Sequence, residues 1–152
     1  MFDKILIPTD GSQGVEKAIE YAVAIAEKFT STVHILFVVE SSNLLIGYDQ
    51  DMASQTQVQS VVEGMYQVGE DAVAKIAKQL SERGIEEIIT KVRDGHAAEV
   101  ILEYIKEEGI DLIVMGTHGR RGLNRLLLGS VVGEVVHRAT LPVMTVRMDN
   151  KD

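Results

Sequence analysis

Apolar residues along this chain recur at two spacings, and the spacing changes several times between the N-terminus and the C-terminus. Ile5-Leu6-Ile7, Val33 to Val39 and Leu112 to Met115 are short, nearly continuous apolar runs. Such runs suit strands buried on both faces. Between the first two, Val15, Ala18, Ile19, Ala22, Val23 and Ala26 stand at the i, i+3, i+4, i+7, i+8, i+11 positions of an amphipathic helix. The pattern predicts a strand from Lys4 to Pro8 with Thr9-Asp10-Gly11-Ser12 as its exit loop, then that helix, then a strand from Thr32 to Val39.

Glu40 to about Gln55 reads as one long irregular connection, with an apolar centre at Asn43-Leu44-Leu45-Ile46-Gly47-Tyr48. A segment of this kind either folds back on the body or forms a lid or partner surface. A long helix follows to about Arg83, with Val58, Val61, Val62, Met65, Val68, Ala72, Val73, Ile76, Ala77 and Leu80 as its apolar positions, and Gly84 is placed to end it. Glu87 to Val92 is a third strand and Arg93-Asp94-Gly95-His96 a turn. Ala97, Val100, Ile101, Tyr104 and Ile105 mark a helix closed by Gly109. Asp111 to Met115 is the fourth strand, Val131, Val132, Val135 and Val136 a helix, and Pro142 to Arg147 the fifth strand.

Strands alternating with helices imply βαβ units, right-handed crossovers and a parallel sheet covered on both faces. At 152 residues the chain reads as one domain with a sizeable core. Hydrophobic residues make up 45%, which argues against disorder. No apolar run approaches the roughly 18 residues of a membrane span, and the N-terminus shows no signal-peptide pattern, so a cytoplasmic location is expected. Cysteine is absent, which removes disulfides, thiol nucleophiles and thiolate metal sites. A net charge of −8 with few aromatics argues against nucleic-acid binding.

Against that acidic background one stretch reverses sign. Between Leu112 and Gly133 there is no acidic residue, whereas Arg120, Arg121 and Arg125 are basic. The stretch leaves a strand, is punctuated by Gly116, Gly119, Gly122 and Gly129, and enters a helix. Glycines permit positive φ and close approach of a ligand, and helix N-termini hold anions. The stretch lacks the Gly-Lys-Ser/Thr ending of a P-loop and the G-x-G-x-x-G spacing of dinucleotide folds.

It fits G-x2-G-x9-G-S, met by Gly116, Gly119, Gly129 and Ser130. This motif resembles the nucleotide-binding motif of the universal stress protein family, in its ATP-binding branch. Ile5 to Ser12 resembles that family's opening strand and loop, and Leu141-Pro142-Val143 its closing strand. The resemblance implies an open, Rossmann-like (adenine nucleotide alpha hydrolase-like) sheet of order 3-2-1-4-5. It further implies that Pro8, Thr9 and Asp10 flank adenine and ribose, with Val38 near the base. Gly116, Thr117, His118, Gly119, Arg120, Arg121 and Gly122, with Gly129, Ser130, Val131 and Val132, would surround ribose and phosphates. The ligand implied is ATP, ADP or AMP, with Mg²⁺ or Mn²⁺ held mainly by phosphate oxygens.

Blander roles compete at each position. Ser130 suits a helix N-cap, Asp10 a cap or turn carboxylate, and Arg120 and Arg121 a solvated surface. His34, His96, His118 and His137 show no zinc-ligand spacing, and no serine sits in a G-x-S-x-G elbow. The function expected is a nucleotide-binding stress-response regulator with an unidentified protein partner. Slow ATP hydrolysis or phosphotransfer is the alternative, although no base stands out. A receiver-like signalling domain is disfavoured, because Asp10 has no acidic neighbour after the first strand. The final strand, with Val143, Met144, Thr145 and Val146, would be a bare β-prone edge suited to homodimer pairing.

Overall fold

The computed structural model describes residues 1–45, 55–117 and 129–147. Its elements in chain order are β1 (Lys4–Thr9), α1 (Val15–Phe29), β2 (Thr32–Val39), α2 (Ser41–Leu45), α3 (Gln55–Glu82), β3 (Ile88–Asp94), α4 (Ala97–Glu108), β4 (Leu112–Gly116), α5 (Ser130–Arg138) and β5 (Val143–Val146). The five strands form one parallel sheet in the order β3-β2-β1-β4-β5, as the resemblance implied.

Strand alternation divides the core into two layers. Ile5 and Ile7, Val33, Ile35, Phe37 and Val39, and Leu112 and Val114 pack against α1 and α3. Leu6, Leu36, Ile113 and Met115 face the opposite way, toward α4 and α5. Continuous apolar strands are thus needed because both faces are covered.

Helix ends follow local chemistry. α4 stops at Gly109, whose φ of 65° permits the left-handed turn. After α3, Gly84 has φ 89° and the Ile85 N–H returns to the Leu80 carbonyl at 3.1 Å, the crossed closure expected of a C′ glycine.

Several boundaries and roles differ from expectation. Ser41–Leu45 is a short helix at the start of the supposedly irregular connection; of the remainder, residues 46–54 lie outside the described residues. β3 continues through Asp94, so Arg93 and Asp94 extend a strand instead of forming a turn, because both still pair with β2 at Val38 and Val39. β5 starts at Val143, leaving Pro142 and Arg147 outside it. Val68 is 49% exposed, whereas its neighbour Gly69 is buried with Phe37 Cδ1 only 2.8 Å from where a Cβ would lie. The helix therefore turns a glycine, not the valine, toward the sheet, because Phe37 occupies the intervening space.

Candidate functional site

The strand order reverses between β1 and β4, and the ladder joining them has two pairs, Ile5 with Leu112 and Leu6 with Ile113. β1 meanwhile pairs with β2 as far as Thr9 and Phe37, and β4 with β5 as far as Gly116 and Val146. The carboxyl halves of the two central strands thus belong to opposite halves of the sheet. Open α/β sheets bind ligands at such a switch point.

Pro8, Thr9 and Asp10 form one wall and are all partly buried. The turn that follows is built from its own side chains. Gly11 N–H donates to Thr9 Oγ1 at 3.1 Å, Ser12 N–H donates to Asp10 Oδ1 at 2.8 Å, and Gly11 has φ 82°. Asp10 therefore acts as a turn carboxylate. Val38, near the end of β2, is half-buried against the α4–α5 layer, the same layer that Leu6 enters.

The second wall is the exit of β4. Gly116 ends the strand, and Thr117, 4% exposed, donates its N–H to the Val146 carbonyl at 3.0 Å. Gly129 then donates its N–H to the Thr117 carbonyl at 2.9 Å. That bond pins the N-terminus of α5 beside the end of β4. His118, Gly119, Arg120, Arg121 and Gly122 lie outside the described residues.

At the start of α5 the expectation for Ser130 is corrected. Gly129 is the N-cap, with φ −57° and ψ 155°, and as a glycine it has no side chain with which to cap the helix. Ser130 is already helical, so its hydroxyl has passed the position from which a cap reaches back. Gly133 N–H to Gly129 O, at 2.8 Å, is the first bond of the helix. The N–H groups of Ser130, Val131 and Val132 accordingly have no acceptor within it. Positive φ occurs among the described glycines at 11, 84, 95 and 109, not at Gly116 or Gly129. Neither position therefore needs glycine for its backbone angle.

Polar contacts that no local pattern announces tie the surrounding elements together. Glu40, just past β2, accepts the Ala97 N–H with Oε1 at 3.0 Å and so caps α4 from 57 residues away. Asp94 accepts the Ser41 N–H at 3.2 Å, together with the Ser41 hydroxyl. His96 stands 3.7 Å from Glu40 and 3.5 Å from Glu134. Arg138 joins α5 to α4 through Glu99 and holds Glu134 at 3.1 Å. The guanidinium keeps the Glu99 carboxyl below its usual range, and Glu99 in turn raises Arg138. Among the described residues no group of three or more His, Asp or Glu is arranged to hold a metal. A small pocket of about 50 Å³ lies on the other side of the Thr9–Ser12 loop, between Glu16 on α1 and Lys75 and Gln79 on α3.

A family model described as the universal stress protein family matches residues 1–147. The chain belongs to that family. Universal stress protein MJ0531 of Methanocaldococcus jannaschii is 34% identical over 152 residues, spanning 100% of this chain and 86% of the relative. Among solved structures, MJ0577, studied as a hypothetical protein for structure-based assignment of its function, superposes with a TM-score of 0.85 at 26% identity, over 99% of both chains. Two more distant universal stress proteins share the fold. One was solved in complex with cAMP (TM-score 0.67, 21% identity, 96% and 97% coverage). The other, from Arabidopsis thaliana, was solved with AMP bound (TM-score 0.68, 19% identity, 96% and 92% coverage).

Proposed function

We propose that this universal stress protein binds an adenine nucleotide, ATP in first place, across the gap between β1 and β4, and that it acts as a cytoplasmic stress-response regulatory module, residues 1–152 forming one domain. The observation that carries the reading is the N-terminus of α5, begun by a glycine that brings no capping side chain and held beside the end of β4 by the Gly129–Thr117 bond of 2.9 Å. Phosphate is the anion such a terminus suits, because the amides of Ser130, Val131 and Val132 point at it and the helix dipole favours negative charge. The cAMP- and AMP-bound relatives support an adenine ligand on this fold.

In this reading Pro8, Thr9 and Asp10 flank adenine and ribose, and Val38 provides an apolar surface for the base. Gly116 and Thr117 lie under the ribose, and Gly119 and Gly122 let the backbone close on the phosphates. His118 forms an edge of the site, while Arg120 and Arg121 supply positive charge. Mg²⁺ or Mn²⁺ arrives with the nucleotide, held on its phosphate oxygens. Copies pair through β5, which among the described residues is bonded to β4 on one side only and carries Val143, Met144 and Thr145 along its length. A protein partner reads the nucleotide state.

The test uses Gly129→Val. A φ of −57° with ψ 155° is open to any residue, so the variant should fold. Any loss of binding then reports ligand space. Calorimetry with Mg²⁺–ATP should show affinity falling by more than about tenfold, roughly 1.4 kcal/mol. Unchanged affinity overturns the site. Turnover of the unaltered protein should stay far below the enzyme median of about 10 s⁻¹. Rapid hydrolysis would make it an ATPase instead.

A further inference from the structure

The nucleotide reading makes no use of an ionisable pair inside the α4–α5 layer. His34 on β2 and Tyr104 on α4 are both 0% exposed, and His34 Nδ1 lies 2.7 Å from the Tyr104 hydroxyl. Their rings meet edge to face with centroids 5.7 Å apart. The other ring nitrogen, His34 Nε2, is buried with no hydrogen-bond partner among the described residues. Arg93 of β3 stacks 4.8 Å over the Tyr104 ring and is itself tied to Glu107 of α4 at 2.7 Å.

Counting protons fixes how the pair is made. If the phenol donates to Nδ1, the imidazole carries its proton on Nε2 and one N–H remains unsatisfied. If Nδ1 donates instead, both the phenol proton and the Nε2 lone pair are stranded. The first arrangement leaves fewer orphans in a dry core. Tyr104 keeps its proton throughout, since burial, with Glu108 adding to it, pushes the phenol up to about 12. Protonating His34 destroys this arrangement. Nδ1 becomes a donor, so the phenol oxygen must accept from it, the phenol proton loses its acceptor, and a charge is left buried beside Tyr104.

We propose that the His34–Tyr104 pair is an acid-released latch, holding α4 against the sheet while His34 is neutral and letting it go when His34 takes up a proton. The charged groups around the pair do not rescue the imidazolium. Glu108 on α4 favours it, but Lys4 on β1 opposes it and desolvation outweighs both, so His34 lies below its ordinary 6.5. Arg93, facing from β3, brings a further positive charge, and its partner Glu107 is engaged with it. The unfolded or locally opened segment takes up the proton near pH 6.5, whereas the closed form resists it. The latch is therefore at full strength above about pH 6.5 and weakens as pH falls toward the lowered value, by at most about tenfold in the opening equilibrium per pH unit. α4 carries the Glu40 cap and the Glu99–Arg138 link to α5, so its release loosens both. This inference stands apart from nucleotide binding and holds whether or not a nucleotide binds.

Native-state hydrogen exchange of the whole protein tests it. Between pH 7.5 and 5.5, after correction for intrinsic exchange, opening at the α4 amides from Val100 to Glu108 should rise about tenfold relative to α1. The double variant His34→Leu/Tyr104→Phe removes both polar partners together and should abolish that excess. Equal acid responses in the protein and the double variant overturn the latch. Should the double variant not fold, ¹⁵N spectra of the unaltered protein decide. His34 must appear as the neutral Nε2–H tautomer at pH 6, and a charged imidazole in the folded protein at that pH refutes the proposal.

Discussion

The two faces of the sheet are made by the same strands, residue by residue in alternation, yet they are built differently. The α1–α3 face carries a large apolar cluster, from Ile5 and Ile7 through Phe37 to Val73, Ile76 and Leu80. The α4–α5 face admits His34 and its hydroxyl partner, and its helices are bound to each other and to β2 by Glu40, Glu99, Glu134 and Arg138. It is also the face on which Val38 lies and from which α5 begins. One face is a stability reservoir; the other trades apolar packing for polar connections near the candidate site. The difference teaches that burial alone does not show what a core layer is for.

The largest effect that can sharpen this contrast is a cavity in the apolar face. Leu80→Ala should cost about 2–5 kcal/mol in a urea titration, because Leu80 is 0% exposed and packed on all sides. Nucleotide affinity, compared at a temperature where the variant remains folded, should not move. A changed affinity would mean that the two faces are coupled, and the contrast would fail.

A smaller effect separates two glycines of α3. At Gly69 an added Cβ would lie 2.8 Å from Phe37 Cδ1 and 3.0 Å from Val92 Cγ1, whereas at Gly64 nothing lies within 4 Å. Gly69→Ala should destabilise by about 1 kcal/mol, overpacking of about 1–3 kcal/mol being offset in part by better helix propensity. Gly64→Ala should stabilise by about 0.5–1 kcal/mol for the propensity reason alone. Thermal melts that shift in the same direction for both would show that α3 does not sit on Phe37 as described.

The smallest effect belongs to the polar face. Arg138 holds the Glu99 carboxyl below its ordinary pKa, so the link contributes only while Glu99 is ionised. Its contribution is present above the ordinary value of 4.5 and is lost as pH falls through the lowered one. Both side chains are substantially exposed, and solvent and salt screen the pair. Arg138→Gln should lower the melting temperature slightly at pH 7 and low salt, with the gap closing at high salt and at strongly acidic pH. A gap insensitive to both would point to lost packing instead of lost charge.

Much of this was legible in the residue order. α1 was readable because its apolar stripe keeps helical spacing from Val15 to Ala26, and β2 because an unbroken run from Val33 to Val39 suits only a strand covered on both faces. The glycine-rich stretch stands out in the sequence because it reverses the sign of an acidic chain. Val68 was misread because periodicity identifies a stripe but not its width, and the space beneath it is taken by Phe37 from another element. Ser130 was misread because a serine next to a glycine suits either the cap or the first helical position, and only the backbone angles choose.

By itself, the sequence determined the alternation of strands and helices and the family, since each depends on spacing within a few residues of the chain. Tertiary structure alone decided that Glu40 caps a helix 57 positions away and that Thr117 and Gly129 close on each other at 2.9 Å. It also decided that His34 and Tyr104, 70 positions apart, meet in a buried hydrogen bond. The physical reason is range. Backbone propensity and hydrophobic period act between neighbours along the chain, whereas a hydrogen bond or a buried charge depends on which atoms the packed fold brings within about 3 Å, a distance unrelated to separation in sequence.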